Sequence, residues 1–288
     1  MNPKNVLSPV SDGPVSRSIR HENITVEGYS RAAVQTYWRI PEFRLGFDLG
    51  WQPWEFMGTP NWFISHTHMD HTLALPAYVA RRRMMKMDPP NIFVPASKVG
   101  EVRQLLAIFS RLDRGHLPCN IVGMEPGDSV ELSKELVVSA IQTFHTITSI
   151  GFIVWERRKK LKPEYLSLSG PEIRELNLSG VPITDEIRIP KVAYLGDSTH
   201  VGLDRNPDLY RTEVLILEMT FVAPNHRREA INKHGHFHLD DLVERKSLFQ
   251  NKKIIASHFS TRYTNQQIEQ TVRGKLPDLM ENRLILWY

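Results

Sequence analysis

An α/β fold built of layered sheets is what this sequence predicts, and three observations predict it. Short runs of β-branched and aromatic residues are interspersed with longer stretches of helical composition. Several of those runs stop at a histidine or a carboxylate, the pattern of sheets that gather a site along the carboxyl ends of their strands. At 288 residues and 41% hydrophobic content, the chain can bury a sizeable core as one large domain or two small ones.

Residues 1–20 are polar, carry Pro3, Pro9, Gly13 and Pro14, and show little periodicity, so a mobile tail is expected ahead of a domain over 21–288. Residues 23–27, 33–39 and 44–49 read as short strands parted by Gly28, Pro41 and Gly46, an opening antiparallel meander. Trp62-Phe63-Ile64-Ser65 has the character of a buried strand and runs into His66-Thr67-His68-Met69-Asp70-His71. Helical composition follows over 73–87, interrupted at Pro76. A strand over 91–95 and a helix over 99–112 come next.

The second half repeats one theme. Residues 136–144 run into His145, 191–196 into Asp197, 214–217 into Glu218 and 253–257 into His258, so with the 62–65 strand that runs into His66 five strand ends carry candidate site residues. Helices are expected over 239–250 and 265–272. Between Trp155 and Pro190 the composition shifts: Arg157, Arg158, Lys159, Lys160 and Lys162 precede serine, glycine, proline and isolated leucines, which suggests an inserted arm, with a solvated surface as the competing reading. No internal repeat or low-complexity tract is evident.

Four potential ligands within residues 66–71 at a strand end point to a metal site rather than to surface histidines. On extended chain, side chains two apart share a face, so His66 and His68 can grip one ion while Asp70 and His71 turn toward a second. The single cysteine, Cys119, excludes an internal disulfide and any cysteine-rich zinc module, leaves histidine and aspartate as donors, and makes the cytoplasm the default compartment. The N-terminus lacks a basic region followed by an apolar run, and no stretch holds eighteen uncharged apolar residues. Neither export nor membrane spanning is therefore expected. A net charge of +4 and a pI near 9.1 lean toward an anionic partner.

Taken together, His66-Thr67-His68-Met69-Asp70-His71, His145, Asp197 and His258 resemble the signature of the metallo-β-lactamase fold, over nearly the whole chain beyond the tail. That resemblance implies a four-layer αβ/βα sandwich with a dinuclear site on its edge. One ion would be held by His66, His68, His145 and Asp197, the other by Asp70, His71, His258 and the bridging Asp197. A donor set without sulfur suits borderline metals, zinc first, with manganese or iron as alternatives. His68 stands where the superfamily's oxygen reductases typically carry glutamate, which points to the hydrolytic branch, and Asp197 where its β-lactamases usually lack aspartate, which points away from antibiotics; two ions about 3.5–4 Å apart would suit phosphodiester hydrolysis best.

Finer motifs resemble ribonuclease Z, the endonuclease that removes 3′ trailers from precursor tRNA. Ser257-His258-Phe259-Ser260-Thr261-Arg262-Tyr263 is similar to its last motif, Glu218-Met219-Thr220-Phe221 to its glutamate motif, and Gly235-His236 to the site of its supporting histidine. Stretches 75–80, 89–96, 168–170 and 179–181 look like the short, plant-type form. Leu217 stands where many members have histidine, and Phe237-His238 where serine and threonine are common.

The resemblance implies a zinc-dependent homodimer acting on precursor tRNA. Asp70 would orient the attacking water, and His236 with Glu218 would protonate the departing 3′ oxygen. Ser260 and Arg262 would hold phosphate, and Arg157, Arg158, Lys159 and Lys160 would dock RNA. Arg81-Arg82-Arg83 and Lys86 read as RNA contacts or as a solvated helix face. His200, His226, His234 and His238 read as surface or support residues. Two other classes fit the same residues: a dinuclear hydrolase of small phosphodiesters or other esters, and a non-catalytic RNA-binding relative.

Overall fold

The computed structural model describes residues 16–224, 231 and 233–288. Its first sheet opens with an antiparallel meander of β1 (Arg17–His21), β2 (Ile24–Arg31), β3 (Gln35–Ile40) and β4 (Leu45–Leu49). In β2 burial alternates strictly, Ile24 and Val26 inward and Thr25 and Glu27 outward, as the pleat requires of a half-buried strand. The sheet continues in parallel through β5 (Asn61–Phe63), β6 (Asn91–Pro95) and β7 (Asn120–Met124).

The second sheet has the same plan. Strands β8 (Ser129–Glu131), β9 (Leu136–Gln142), β10 (Ile150–Leu161) and β11 (Thr184–Tyr194) are antiparallel, and β12 (Val214–Glu218), β13 (Lys253–Ser257) and β14 (Leu284–Leu286) follow in parallel. The chain therefore does repeat, in topology. The sequence hides the repeat because the halves share strand order and burial rather than residues.

The inner faces of the two sheets pack on each other around Phe47, whose ring centroid lies 5.0 Å from Tyr194, 6.0 Å from Phe152 and 6.3 Å from Phe63. Strands buried on both faces send alternate residues to different cores: Val214 and Ile216 of β12 point between the sheets, Leu215 and Leu217 outward. The outward set is covered by α5 (Val201–Arg205), α6 (Leu239–Glu244), α7 (Asn265–Lys275) and α8 (Pro277–Asn282) through Leu203, Leu239, Ile268 and Leu279. On the other side, α2 (Leu75–Met84) and α3 (Val99–Leu112) cover Ile92 and Val94 with Tyr78, Val79 and Leu106. Each side chain buried this way contributes about 1.5–3 kcal/mol. The result is the αβ/βα sandwich.

Some elements differ from expectation. Residues 17–20, expected in the tail, form β1 together with His21. Their polarity suits an exposed edge, and Arg17 ties that edge to the chain end, with Nη1 donating to Tyr288 O at 2.9 Å and its guanidinium over the rings of Trp287 and Tyr288. Residues 1–15 lie outside the described residues. Pro76 does not break its helix. It sits in the first turn of α2, where a missing N–H costs nothing, and a separate turn, α1 (Met69–Thr72), precedes it. The helix expected over 239–250 stops at Glu244. Residues 155–190 form most of a long hairpin of β10 and β11, with α4 (Gly170–Leu178) between the strands, its start set by a capping box of Ser169 and Glu172.

Candidate metal centre

Six strands end at one edge of the sandwich and deliver polar groups there: β4 brings Asp48, β5 the 66–71 loop, β9 His145, β11 Asp197, β12 Glu218 and β13 His258. Two positions show how closely the chain is drawn in. A Cβ on Gly50 would lie 1.8 Å from Asp70 O, and Gly235, at φ +69°, would place one 2.6 Å from His145 Cα. Asp48, His258 and Ala33 hold φ of 55°, 59° and 60°, a left-handed conformation that non-glycine residues rarely adopt, and each touches the cluster.

The donor atoms fall into two sets. His68 Nδ1 lies 3.0 Å from His66 Nε2 and 3.2 Å from His145 Nε2. His71 Nε2 lies 3.3 Å from His258 Nε2, and Asp70 Oδ2 is 3.7 and 3.5 Å from those two atoms. Asp197 Oδ2 stands between the sets, 3.9 Å from His66 Nε2, 3.6 Å from His71 Nε2 and 3.5 Å from His258 Nε2. Donors around one tetrahedral ion at ordinary Zn–N lengths are about 3.3 Å apart.

Hydrogen bonds outside the cluster decide which nitrogens face in. His71 Nδ1 donates to Asp48 Oδ2 at 2.7 Å and His145 Nδ1 to Gly235 O at 2.8 Å; neither acceptor has a proton to return. Ser65 Oγ spends its proton on Asp48 and so accepts from His66 Nδ1 at 3.0 Å. Thr220 Oγ1 spends its proton on Glu218 and so accepts from His258 Nδ1 at 3.1 Å. With all four Nδ1 atoms committed as donors, four Nε2 lone pairs converge beside two carboxylates. Such a set repels itself unless cations lie within it, so these residues fit two divalent ions.

Electrostatics follow from this crowding. Burial opposes charge at Asp197, yet His258, His71 and His66 hold its carboxyl well below the usual range, and His258 and His71 do the same for Asp70. Burial and the charge of His71 push His66 well below the ordinary imidazole value. His236 goes the other way: burial disfavours its cation, but the charge and hydrogen bond of Glu218 outweigh burial and push it up to about 9. Its Nδ1 is 3.1 Å from both Glu218 oxygens, and Glu218 is itself fixed by Ser198 N at 2.8 Å and by the Thr220 hydroxyl.

The structure thus brings His66, His68, Asp70, His71, His145, Asp197 and His258 together, with His236 and Glu218 alongside. Ser260 follows in the same loop, its N–H donating to Thr220 O at 3.0 Å, and Arg262 lies exposed beyond it. The four basic residues of β10 lie outside this cluster. Arg157 is occupied, forming a fork with Glu131 at 2.5 and 2.9 Å and reaching Lys134 O at 2.8 Å, while Arg158 pairs with Glu156 at 2.7 Å. Lys159 and Lys160 are exposed.

Near α2 the three arginines form neither a plain solvated face nor a free basic patch, because each bonds within the protein. Arg82 is buried against Met57 O and Asp88 O, Arg81 bonds Gln52, and Arg83 bonds His116 O and Asp113. His238, buried, supports the fold by capping α6 through Asp240 N, which explains an imidazole where serine or threonine is common. His234 is exposed, and His226 lies outside the described residues. Sequence reasoning missed Asp48, whose carboxylate takes Ser65 N and Oγ at 2.7 and 2.9 Å, His71, and the Tyr194 hydroxyl at 2.5 Å. Its one sequence signal is an acid near the end of an apolar strand, which does not set it apart from other such acids.

A family model described as a beta-lactamase superfamily domain matches residues 62–259. Among similar proteins, tRNase Z TRZ1 of Arabidopsis thaliana is 40% identical, covering 93% of this chain and 96% of that one. The chloroplastic tRNase Z TRZ2 of the same plant is 35% identical over 89% of this chain and 73% of that one. The solved metallo-beta-lactamase fold protein YhfI from Bacillus subtilis superposes with a TM-score of 0.61 at 10% identity, covering 90% of this chain and 92% of its own. Human tRNase Z, short form, superposes with 0.52 at 19% identity, covering 83% and 86%. Those two structural likenesses concern the fold alone.

Proposed function

Since the chain belongs to the beta-lactamase superfamily and, within it, to the tRNase Z family, we propose that it is an endoribonuclease removing the 3′ trailer of precursor tRNA. Two divalent ions, zinc first, serve it. His66, His68, His145 and Asp197 hold one, and Asp70, His71, His258 and Asp197 the other. The observation that carries this reading is the set of inward lone pairs beside the His236–Glu218 pair.

When bound, the ions supply an acidified water at neutral pH and stabilise charge on the phosphoryl oxygens. Asp70, whose carboxyl is held below the usual range and fixed by Ala33 N–H at 2.9 Å, would orient the attacking water and accept its proton once the ions are in place. Glu218 takes Nδ1–H of His236, so the imidazolium offers its Nε2 proton to the departing 3′ oxygen. Ser260 and Arg262 contact phosphate. The β10–β11 hairpin acts as an arm that docks RNA through Arg158, Lys159 and Lys160, without Arg157.

The acting species in this reading is a homodimer, and exposed Met69, Leu73 and Met84 on and beside α1 and α2 are apolar side chains a second copy could cover. A lone free cysteine suits a reducing compartment, the cytoplasm. No helix among the described residues is long and apolar enough to cross a membrane. Incubation with a 3′-extended tRNA, with and without chelator, tests the proposal. A single cut that chelator abolishes is expected; hydrolysis of small diesters with extended tRNA left intact would instead establish a small-molecule phosphodiesterase.

A further inference from the structure

The turn that closes β2 onto β3, Arg31-Ala32-Ala33-Val34, is held from the other half of the molecule. Arg31 Nη2 donates to Tyr263 O at 2.6 Å and Ala32 N–H to Phe259 O at 3.3 Å, both acceptors lying in the loop that follows His258. Within the turn, Val34 N–H closes back on Arg31 O at 3.0 Å. Ala33, between them, donates its N–H to Asp70 Oδ2 at 2.9 Å. The turn therefore meets two segments that face the second ion, Asp70 directly and His258 through its neighbour Phe259. Asp70 Oδ2 and His258 Nε2 are themselves 3.5 Å apart.

Ala33 aims that N–H from a φ of 60°. Any side chain disfavours this left-handed conformation, which glycine adopts freely. Backbone of this kind persists where its surroundings over-determine it. Here the two bonds into the 259–263 loop are those surroundings, and Arg31 supplies the shorter, charge-assisted one. The first donor set has other supports: His66 Nδ1 rests on Ser65 Oγ and His145 Nδ1 on Gly235 O.

We propose that Arg31 is a positioning residue for the second ion, clamping the turn so that the Ala33 N–H fixes Asp70. The inference rests on the dinuclear centre proposed above. Arg31 acts through Ala33 and touches neither ion nor substrate. Without the clamp the turn relaxes toward negative φ and the N–H leaves Asp70. The second ion then loses an oriented carboxylate, while the first keeps its three histidines.

Zinc titration of the full chain against a chelating dye reads the two ions apart from catalysis. Arg31→Ala should weaken one of them about 10–100-fold, the effect of removing a partner behind a metal ligand, and leave the other within about twofold. Adding Ala33→Gly to Arg31→Ala should recover most of that loss, because glycine holds the left-handed turn without the clamp. A guanidinium that merely supported the fold, or that bound RNA itself, would gain nothing from a glycine two residues away. Ala33→Val leaves Arg31 in place and makes the turn costlier, so it should weaken the same ion, and it decides the matter if Arg31→Ala does not fold. Unchanged zinc affinity in these variants, or a loss that Ala33→Gly does not recover, would overturn the inference. If the unaltered protein bound fewer than two ions, the dinuclear reading would fall and this inference with it; two ions bound, with no effect of Arg31→Ala or Ala33→Val, would remove the positioning role alone.

Discussion

Asp48 is wholly buried and accepts hydrogen bonds from the residue before His66, from His71 itself and from Tyr194, three positions ahead of Asp197. It is a positioning residue, and Asp48→Asn tests it by replacing one acceptor oxygen with a donor at nearly constant shape. His71 would lose the partner that fixes its tautomer, so metal affinity should fall about 10–100-fold. Titration against a chelating dye measures this, with circular dichroism confirming the fold; unchanged affinity would assign Asp48 to packing alone. His236 calls for a different readout. His236→Ala should keep both ions and cleave precursor tRNA about 10²–10⁴-fold more slowly. A nitrophenyl diester, whose leaving group needs no proton, should suffer far less, and equal losses would make His236 structural. At this scale the sequence was most legible where ligands are neighbours, as in residues 66–71. It was least legible where a partner such as Asp48 arrives from a distant strand, because nothing local marks it off from other strand-end acids.

Among the elements, β10 shows what composition cannot separate. Arg157 and Arg158 are adjacent in a run of cations, but alternation along a strand turns them to opposite faces. Only Arg157 meets Glu131 across the sheet. Neutralising Arg158, Lys159 and Lys160 together should weaken precursor binding and lower the salt slope by about two to three. Arg157→Gln should instead leave that slope unchanged while lowering thermal stability, since it unties β10 from the β8–β9 turn. If Arg157→Gln flattened the slope, its guanidinium would be exchanging partners with RNA. Helix bounds followed a similar rule. α3 and α7 were legible from their apolar spacing, whereas the shortness of α6 follows from tertiary packing that no local signal carries.

Across the whole molecule, the donors come from both halves of the sandwich: His66, His68, Asp70 and His71 follow a strand of the first sheet, and His145, Asp197 and His258 follow strands of the second. The polar strand ends made that shared edge legible, but the pairing of two like sheets was not, because it depends on strand order rather than on residue identity. Ions at this edge would fasten the halves to each other, since unfolding parts donors that lie far apart in sequence. A ligand bound only by the folded state at 100 times its dissociation constant stabilises by about 2.7 kcal/mol, so two ions add about 5 kcal/mol. For a chain of this length that corresponds to about 10–20 °C in melting temperature. Chelation should lower the transition by that order, and added zinc should restore it. Asp197→Ala removes the carboxylate that stands between the two donor sets, so bound metal should drop toward one ion or none, hydrolysis should cease, and zinc should raise the melting point by at most half as much. Full metal content with an unreduced thermal shift would show that Asp197 does not bridge, and would place the two ions in independent sites.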